Sequence, residues 1–142
     1  MKSIALIHTV KTVANSFEQK LKDYVGEPVK MHNLWDDFLA NNPNEIGEFT
    51  IENRCRLYND IKSAEMTGAD MIVVTCSTLT PVVNMIRPFV RVPLIAIDDA
   101  MGRKAVTCGE RILVLATAGS TEGPMREKLN AEAAKLGKSI QI

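Results

Sequence analysis

Cys76 is the residue in this sequence best placed to do chemistry. It stands in Asp70-Met71-Ile72-Val73-Val74-Thr75-Cys76-Ser77-Thr78-Leu79-Thr80-Pro81. The apolar run before it reads as a strand, and proline suits the first turn of a helix after it. Cys76 then lies at the carboxyl end of a buried strand, where open α/β sheets bind ligands. The first amides of a helix lack intrahelical partners, and the helix dipole favours an anion there. Such a position can bind a carboxylate, and it can hold a thiol as thiolate. A thiolate beside a bound carboxylate can take the acidic proton next to that carboxylate. Ser77 and Thr78 offer hydroxyls and amides for the substrate oxygens. The competing reading of Cys76 is a small buried hydrophobe.

Other hydroxyls fall at equivalent places. Thr9 and Thr12 follow the apolar run Ile4–Ile7; Thr117, Ser120 and Thr121 follow Ile112–Leu115, with Gly119 permitting close backbone approach. Helix capping and ligand contact are both open to them. His8 is a candidate acid or base, or a hydrogen-bonded bystander. Asp98 and Asp99 end a strand and suit the cap of the next helix. Cys55 reads as core on an apolar helical face, and Cys108 as structural at a helix end. Three widely spaced cysteines build neither a disulfide scaffold nor a clustered zinc site.

These residues need elements to hold them. Ile4–Ile7, Met71–Val74, Leu94–Ile97 and Ile112–Leu115 lack polar alternation, which predicts parallel strands covered on both faces; a weaker strand is predicted near Val29–His32. Phe17, Leu21 and Val25 mark one helical face, and Ile51, Cys55, Tyr58 and Ile61 another. A third helix is predicted to start near Thr78–Pro81. Leu34–Phe49, with Asn41-Asn42-Pro43-Asn44 and Gly47, reads as a long loop of the kind that forms lids. Alternating strands and helices predict an α/β fold, a parallel sheet between helical layers.

A weak internal repeat runs through the chain. One spacing pairs Ile4–Thr9 with Ile112–Thr117, Thr12 with Ser120, Phe17 with Met125, Leu21 with Leu129 and Val25 with Ala133. Lys138–Ile142 has the character of a strand beginning. The expectation is a first α/β lobe over 1–97 carrying Cys76. A connecting helix and the first part of a second, pseudo-symmetric lobe over 98–142 follow, with that lobe incomplete. An unfinished lobe of this kind favours homo-oligomers through swapping or edge pairing.

The bulk properties exclude whole classes. At 142 residues with 46% hydrophobic and 24% charged residues, the chain has a soluble domain's composition. Zero formal net charge gives no basis for binding nucleic acid or an anionic membrane. No apolar run approaches the roughly 20 residues of a membrane span. Reduced cysteines and the lack of a signal-like start point to the cytoplasm.

The run Gly68-Ala69-Asp70 through Val73-Val74-Thr75-Cys76-Ser77-Thr78 resembles the first cysteine motif of the aspartate/glutamate/hydantoin racemase superfamily. Pro93-Leu94-Ile95-Ala96-Ile97-Asp98 resembles its next strand, and Arg111–Thr121 its strand and threonine turn opening the second lobe. The resemblance covers nearly the whole chain in order. It implies two pseudo-twofold α/β lobes, a cleft between them, and racemisation with no cofactor and no metal on a small carboxylate-containing substrate. One cysteine per lobe faces the stereocentre; one removes the α-proton and the other returns a proton from the far side. Carried over, Cys76 is the first-lobe catalyst. Ser77 and Thr78 hold the carboxylate, Thr117, Ser120 and Thr121 contribute from the second-lobe turn, and His8 and Thr9 stand where the first strand supplies cleft residues. His-Thr departs from the acidic or serine motif of glutamate racemases, which argues against glutamate as substrate. The second cysteine motif has no counterpart, since Cys108 precedes the second-lobe strand. A one-cysteine member also suits a decarboxylase or cis–trans isomerase of the superfamily; a non-catalytic ligand-binding α/β domain is the reading outside enzymes.

Overall fold

Six consecutive residues, Ser3–His8, form strand β1, and its last four are buried. The computed structural model describes residues 1–142. β1 is followed by α1 (Lys11–Val25), β2 (Lys30–Trp35), α2 (Phe38–Ile46), α3 (Ile51–Met66) and β3 (Met71–Val74). A 3₁₀ turn (Ser77–Leu79) leads into α4 (Thr80–Ile86), and a second 3₁₀ turn (Arg87–Phe89) follows it. Then come β4 (Leu94–Ala96), α5 (Asp99–Cys108), a third 3₁₀ turn (Gly119–Thr121) and α6 (Glu122–Lys135). The sheet is all parallel in the order β2-β1-β3-β4. The fold is therefore the α/β class expected, a parallel sheet flanked by helices.

Alternation on the central strands divides the core. Ala5 lies beside Ile72 and Ile7 beside Val74, and these in turn lie beside Leu94 and Ala96. That face joins Leu57, Ile61 and Ala64 of α3 and Val82, Val83 and Ile86 of α4 in the main core. Leu6 and His8 face the other way and are fully buried; Phe17 of α1 meets His8 edge to face at 6.1 Å. Fully burying one such aliphatic side chain contributes about 1.5–3 kcal/mol. A smaller cluster gathers Val106, Met125, Leu129 and Ala133, with Ile112, Val114, Ile140 and Ile142 against it.

The structure departs from expectation in three places. Leu34–Phe49 holds the last residues of β2 and the whole of α2 rather than a continuous loop. Pro43 forfeits one backbone bond inside α2, but Gly47 closes the helix at φ 81°, and Asn53 Nδ2 donates to Asn42 Oδ1 at 3.0 Å, tying α2 to α3. Next, α3 buries Asn53, Leu57, Ile61 and Ala64, not the face through Ile51, Cys55 and Tyr58. Cys55 is exposed and is not core. The Thr50 capping box explains the turn: Asn53 closes the cap from the inner face, so its helical neighbours Leu57 and Ile61 point inward.

Ile112–Leu115 is the third departure. It forms no strand: its flank makes one isolated parallel bridge, Arg111 to Gln141, with Ile112 N–H donating to the Gln141 carbonyl at 2.8 Å. Ile112 and Val114 pack on the small cluster, whereas Leu113 and Leu115 are 85% and 88% exposed. A run buried on both faces needs a neighbour on each side and cover above and below; this segment has one short neighbour and one covered face.

Candidate functional site

The strand order changes direction between β1 and β3. β1 is followed outward by β2, and the chain then crosses to β3 on the opposite side. A crevice forms at such a switch point, beyond the carboxyl ends of the two strands. It is present here as a hollow of about 280 Å³. Val10 and Val13 line it from the end of β1 and the start of α1, and Thr75, Cys76, Ser77 and Thr78 from the end of β3. Leu39, Ala40, Pro43 and Asn44 of α2 form one wall, and Thr117, Ala118, Ser120 and Thr121 complete it.

Cys76 is a free, half-buried thiol in extended conformation (φ −121°, ψ 114°) at the head of the 3₁₀ turn. Thr75 N–H still pairs with the Ile7 carbonyl, so the sheet holds the chain up to the residue before the thiol. The 3₁₀ turn then swings Ser77 and Thr78 around it before α4 begins at Thr80, with Pro81 in its first turn as expected. Neither turn beside the hollow is closed by a side-chain cap, and α6 starts at Glu122 with Thr121 before it making no cap bond. The hydroxyls of Ser77 and Ser120 are thus not spent on capping. Those of Thr78 and Thr121 meet at 3.5 Å, joining the two halves of the hollow.

The structure gathers six of the eight residues singled out from sequence: Cys76, Ser77, Thr78, Thr117, Ser120 and Thr121. His8 and Thr9 are not in the lining. Both are buried, and Thr9 Oγ1 has no hydrogen-bond partner. His8 reaches the hollow only through Thr75: its Nδ1 lies 2.8 Å from Thr75 Oγ1 and its Nε2 3.1 Å from Asn33 Oδ1. Asn33 donates its amide to Glu18, which Lys22 also holds. Asn33 therefore turns its oxygen to the ring, so neutral His8 carries its proton on Nε2, and the single Thr75 hydroxyl proton faces two acceptors, His8 Nδ1 at 2.8 Å and the Ile7 carbonyl at 3.1 Å. Burial holds His8 below the ordinary histidine range, against the hydrogen bond to Asn33 and the charge of Glu18.

Asp98 and Asp99 do not cap α5 with their side chains. Asp98 accepts from the Thr80 hydroxyl at 2.9 and 3.0 Å, and burial pushes its carboxyl up. Asp99 turns to Arg87 and Lys128. Cys108 is exposed at the end of α5, so Cys76 is the one thiol in the hollow.

Sequence reasoning missed the α2 wall and Thr75. The segment holding α2 had drawn notice as a lid; its helical form was hidden by Pro43. A second hollow, of about 360 Å³, lies between Leu113, Thr117, Glu122, Arg126 and Ile142. It carries neither thiol nor imidazole, so the chemistry is sought at Cys76. No three His, Cys, Asp or Glu side chains cluster as metal ligands, and no helix is long and apolar enough to cross a membrane.

No curated protein matches the chain. Residues 11–138, which take in both halves of the hollow, match the family described as Asp/Glu/Hydantoin racemase, and the chain belongs to that family.

Proposed function

We propose that the hollow beyond β3 binds a small carboxylate-containing substrate and that Cys76 exchanges the proton α to its carboxylate or carbonyl. The Cys76 thiolate takes the α-proton and becomes a thiol, leaving a planar carbanion whose charge spreads into the adjacent carbonyl. Return of a proton from the same sulfur restores the starting enantiomer; return from the opposite face inverts it. Ser77 and Thr78 hold the carboxylate, with Thr117, Ser120 and Thr121 contributing across the hollow. The observation that carries the reading is the convergence of these hydroxyls on one thiol at the topological switch point.

Two features bear on specificity. The lining residues include no charged side chain, so a carboxylate there is held by hydroxyls and amides rather than by a cation. One thiol lines the hollow, which supports a second reading, a one-base reaction such as decarboxylation or cis–trans isomerisation of a dicarboxylate. For racemisation, a group on the opposite face is still required, and this chain alone is expected to invert slowly or not at all.

Deuterium exchange separates the steps. In D₂O, proton NMR follows loss of the α-hydrogen of L-aspartate, L-glutamate and a 5-substituted hydantoin, while chiral chromatography follows inversion. Exchange is expected for at least one substrate, lowered about 100-fold or more by Cys76→Ser. Malonate and maleate are assayed in parallel for the second reading. Exchange equal in wild type and Cys76→Ser, or no reaction with any of these compounds, refutes the role given to Cys76.

A further inference from the structure

Four charged side chains meet between α4, α5 and α6, outside the lining of the hollow. Lys128 Nζ lies 2.5 Å from Asp99 Oδ1 and 3.1 Å from Glu132 Oε1. Asp99 Oδ2 accepts from Arg87 at 2.5 Å and from the Ala96 amide at 2.9 Å. Lys128 and Glu132 are each 5% exposed and Asp99 2%. Charges buried this deeply need partners, and an apolar cluster in their place is often at least as stable. Stability alone therefore does not account for the network, but its placement does. Arg87 ends α4, Asp99 begins α5, and Lys128 and Glu132 lie within α6. The Cys76–Thr78 turn opens α4, and the Thr117–Thr121 turn opens α6. At the hollow itself the hydrogen-bond contact between the turns is the hydroxyl pair at the 3.5 Å limit. Gly102 shows how close α5 and α6 come: a Cβ there would stand 3.2 Å from Lys128 Cγ and Cε.

We propose that Lys128 is a positioning residue: its buried pairs to Asp99 and Glu132 set the spacing between the Cys76–Thr78 and Thr117–Thr121 turns. That the space so held is a substrate site rests on the function proposed above. Neither Thr78 nor Thr121 is braced by a cap, so the angle of α6 against α4 and α5 decides how far apart their hydroxyls stand. Removing the ammonium leaves Asp99 leaning on Arg87 and Glu132 on Lys135, and α6 is then held against α5 by the non-directional packing of Val106 on Met125, Leu129 and Ala133.

The spacing can be read without any ligand. In a chain carrying Cys55→Ser, Cys76→Ser and Cys108→Ser, the pair Thr78→Cys and Thr121→Cys is equilibrated with glutathione, and the effective concentration of the two thiols is measured. Adding Lys128→Met is expected to lower it about tenfold, and Gly102→Ala, which crowds Lys128 while favouring the helix, about threefold. Leu129→Ala, a cavity in the same helix on the apolar side, is expected to lower Tm yet leave the effective concentration within about twofold. Values for Lys128→Met and Gly102→Ala that stay within twofold overturn the proposal; if Lys128→Met fails to fold, Gly102→Ala decides. A separate arm reports on the site. In the native chain, succinate is expected to slow iodoacetamide alkylation of Cys76 but not of Cys55 or Cys108. Failure of that protection counts against the proposed function, while the disulfide equilibrium still decides the role of Lys128.

Discussion

Replacing Asp60 by asparagine should stabilise the protein at pH 8 and leave it nearly unchanged near pH 4. Asp60 sits on α3 beside Asp36, with its Oδ2 buried and without a partner. Asp36, itself buried, is gripped by Arg56 through contacts of 2.5 and 3.1 Å and accepts from the Phe38 amide at 3.2 Å, which anchors the first turn of α2. Arg56 also stacks over the Phe38 ring at 4.8 Å and has Asp37 nearby. Burial first, and then the neighbouring Asp36 carboxylate, push the Asp60 carboxyl from 3.8 up to about 7. The folded state thus keeps a proton that the unfolded chain gives up. Stability from this group is complete below 3.8 and is lost as pH rises to about 7. At about 1.4 kcal/mol per pH unit the loss is capped at roughly 4 kcal/mol; solvent screening of this partly exposed group reduces it to about 1–2 kcal/mol. Asparagine mimics the protonated acid at every pH. Urea denaturation followed by circular dichroism at pH 4.5, 6 and 8 should show the variant's advantage growing from near zero to about 1–2 kcal/mol. An advantage that stays constant across this range would refute the assignment of a retained proton to Asp60.

Three further outcomes are expected. Thr50→Ala removes the cap that accepts from Asn53 and should cost about 1 kcal/mol; a urea midpoint unchanged from wild type contradicts the capping role. Leu129→Ala empties a buried position of the smaller cluster and should cost about 2–5 kcal/mol, read as a fall in Tm. His8, whose folded pKa lies below 6.5 through burial, resists a proton that the unfolded chain accepts, so stability is lost as pH falls below 6.5 toward the folded pKa. His8→Gln should lack that part of the acid loss between pH 7.5 and 5; an undiminished loss in the variant removes His8 as its source.

The junction at Cys76 was legible because two independent signals coincide there. The apolar run Met71–Val74 reads as a buried strand, and the hydroxyls and Pro81 after it favour a turn into a helix. The inner face of α3 was less legible. Ile51, Cys55 and Tyr58 fit helical spacing as well as Asn53, Leu57 and Ile61 do, and no periodicity tells that Asn53 turns inward to complete the cap of Thr50. Ile112–Leu115 misled for a different reason: apolar composition reports what a segment can bury, while strand formation depends on neighbours elsewhere. The ion network of Arg87, Asp99, Lys128 and Glu132 left no trace in sequence. Arg87 and Asp99 lie far along the chain from Lys128 and Glu132, and the i,i+4 spacing of the latter two reads as an ordinary surface pair.

The same local device occurs on both sides of the hollow, and a comparison within the molecule shows what it does. At α3, Thr50 spends its hydroxyl on the Asn53 amide, and the helix begins directly. At α4 and α6 a 3₁₀ turn comes first, and no side chain closes the helix. Each missing cap forgoes about 1 kcal/mol that serine or threonine would otherwise supply. Ser77, Thr78, Ser120 and Thr121 are the residue types that cap best, yet none does so. α1, α2 and α5 also begin without a side-chain cap, so an open start is common in this fold; what sets α4 and α6 apart is the serine and threonine in the turns that open them. Leaving them open keeps four hydroxyls and the first amides of two helical turns beside one thiol. Local rules are often broken where a binding site is built, and at these two of the uncapped starts the unspent hydroxyls surround Cys76.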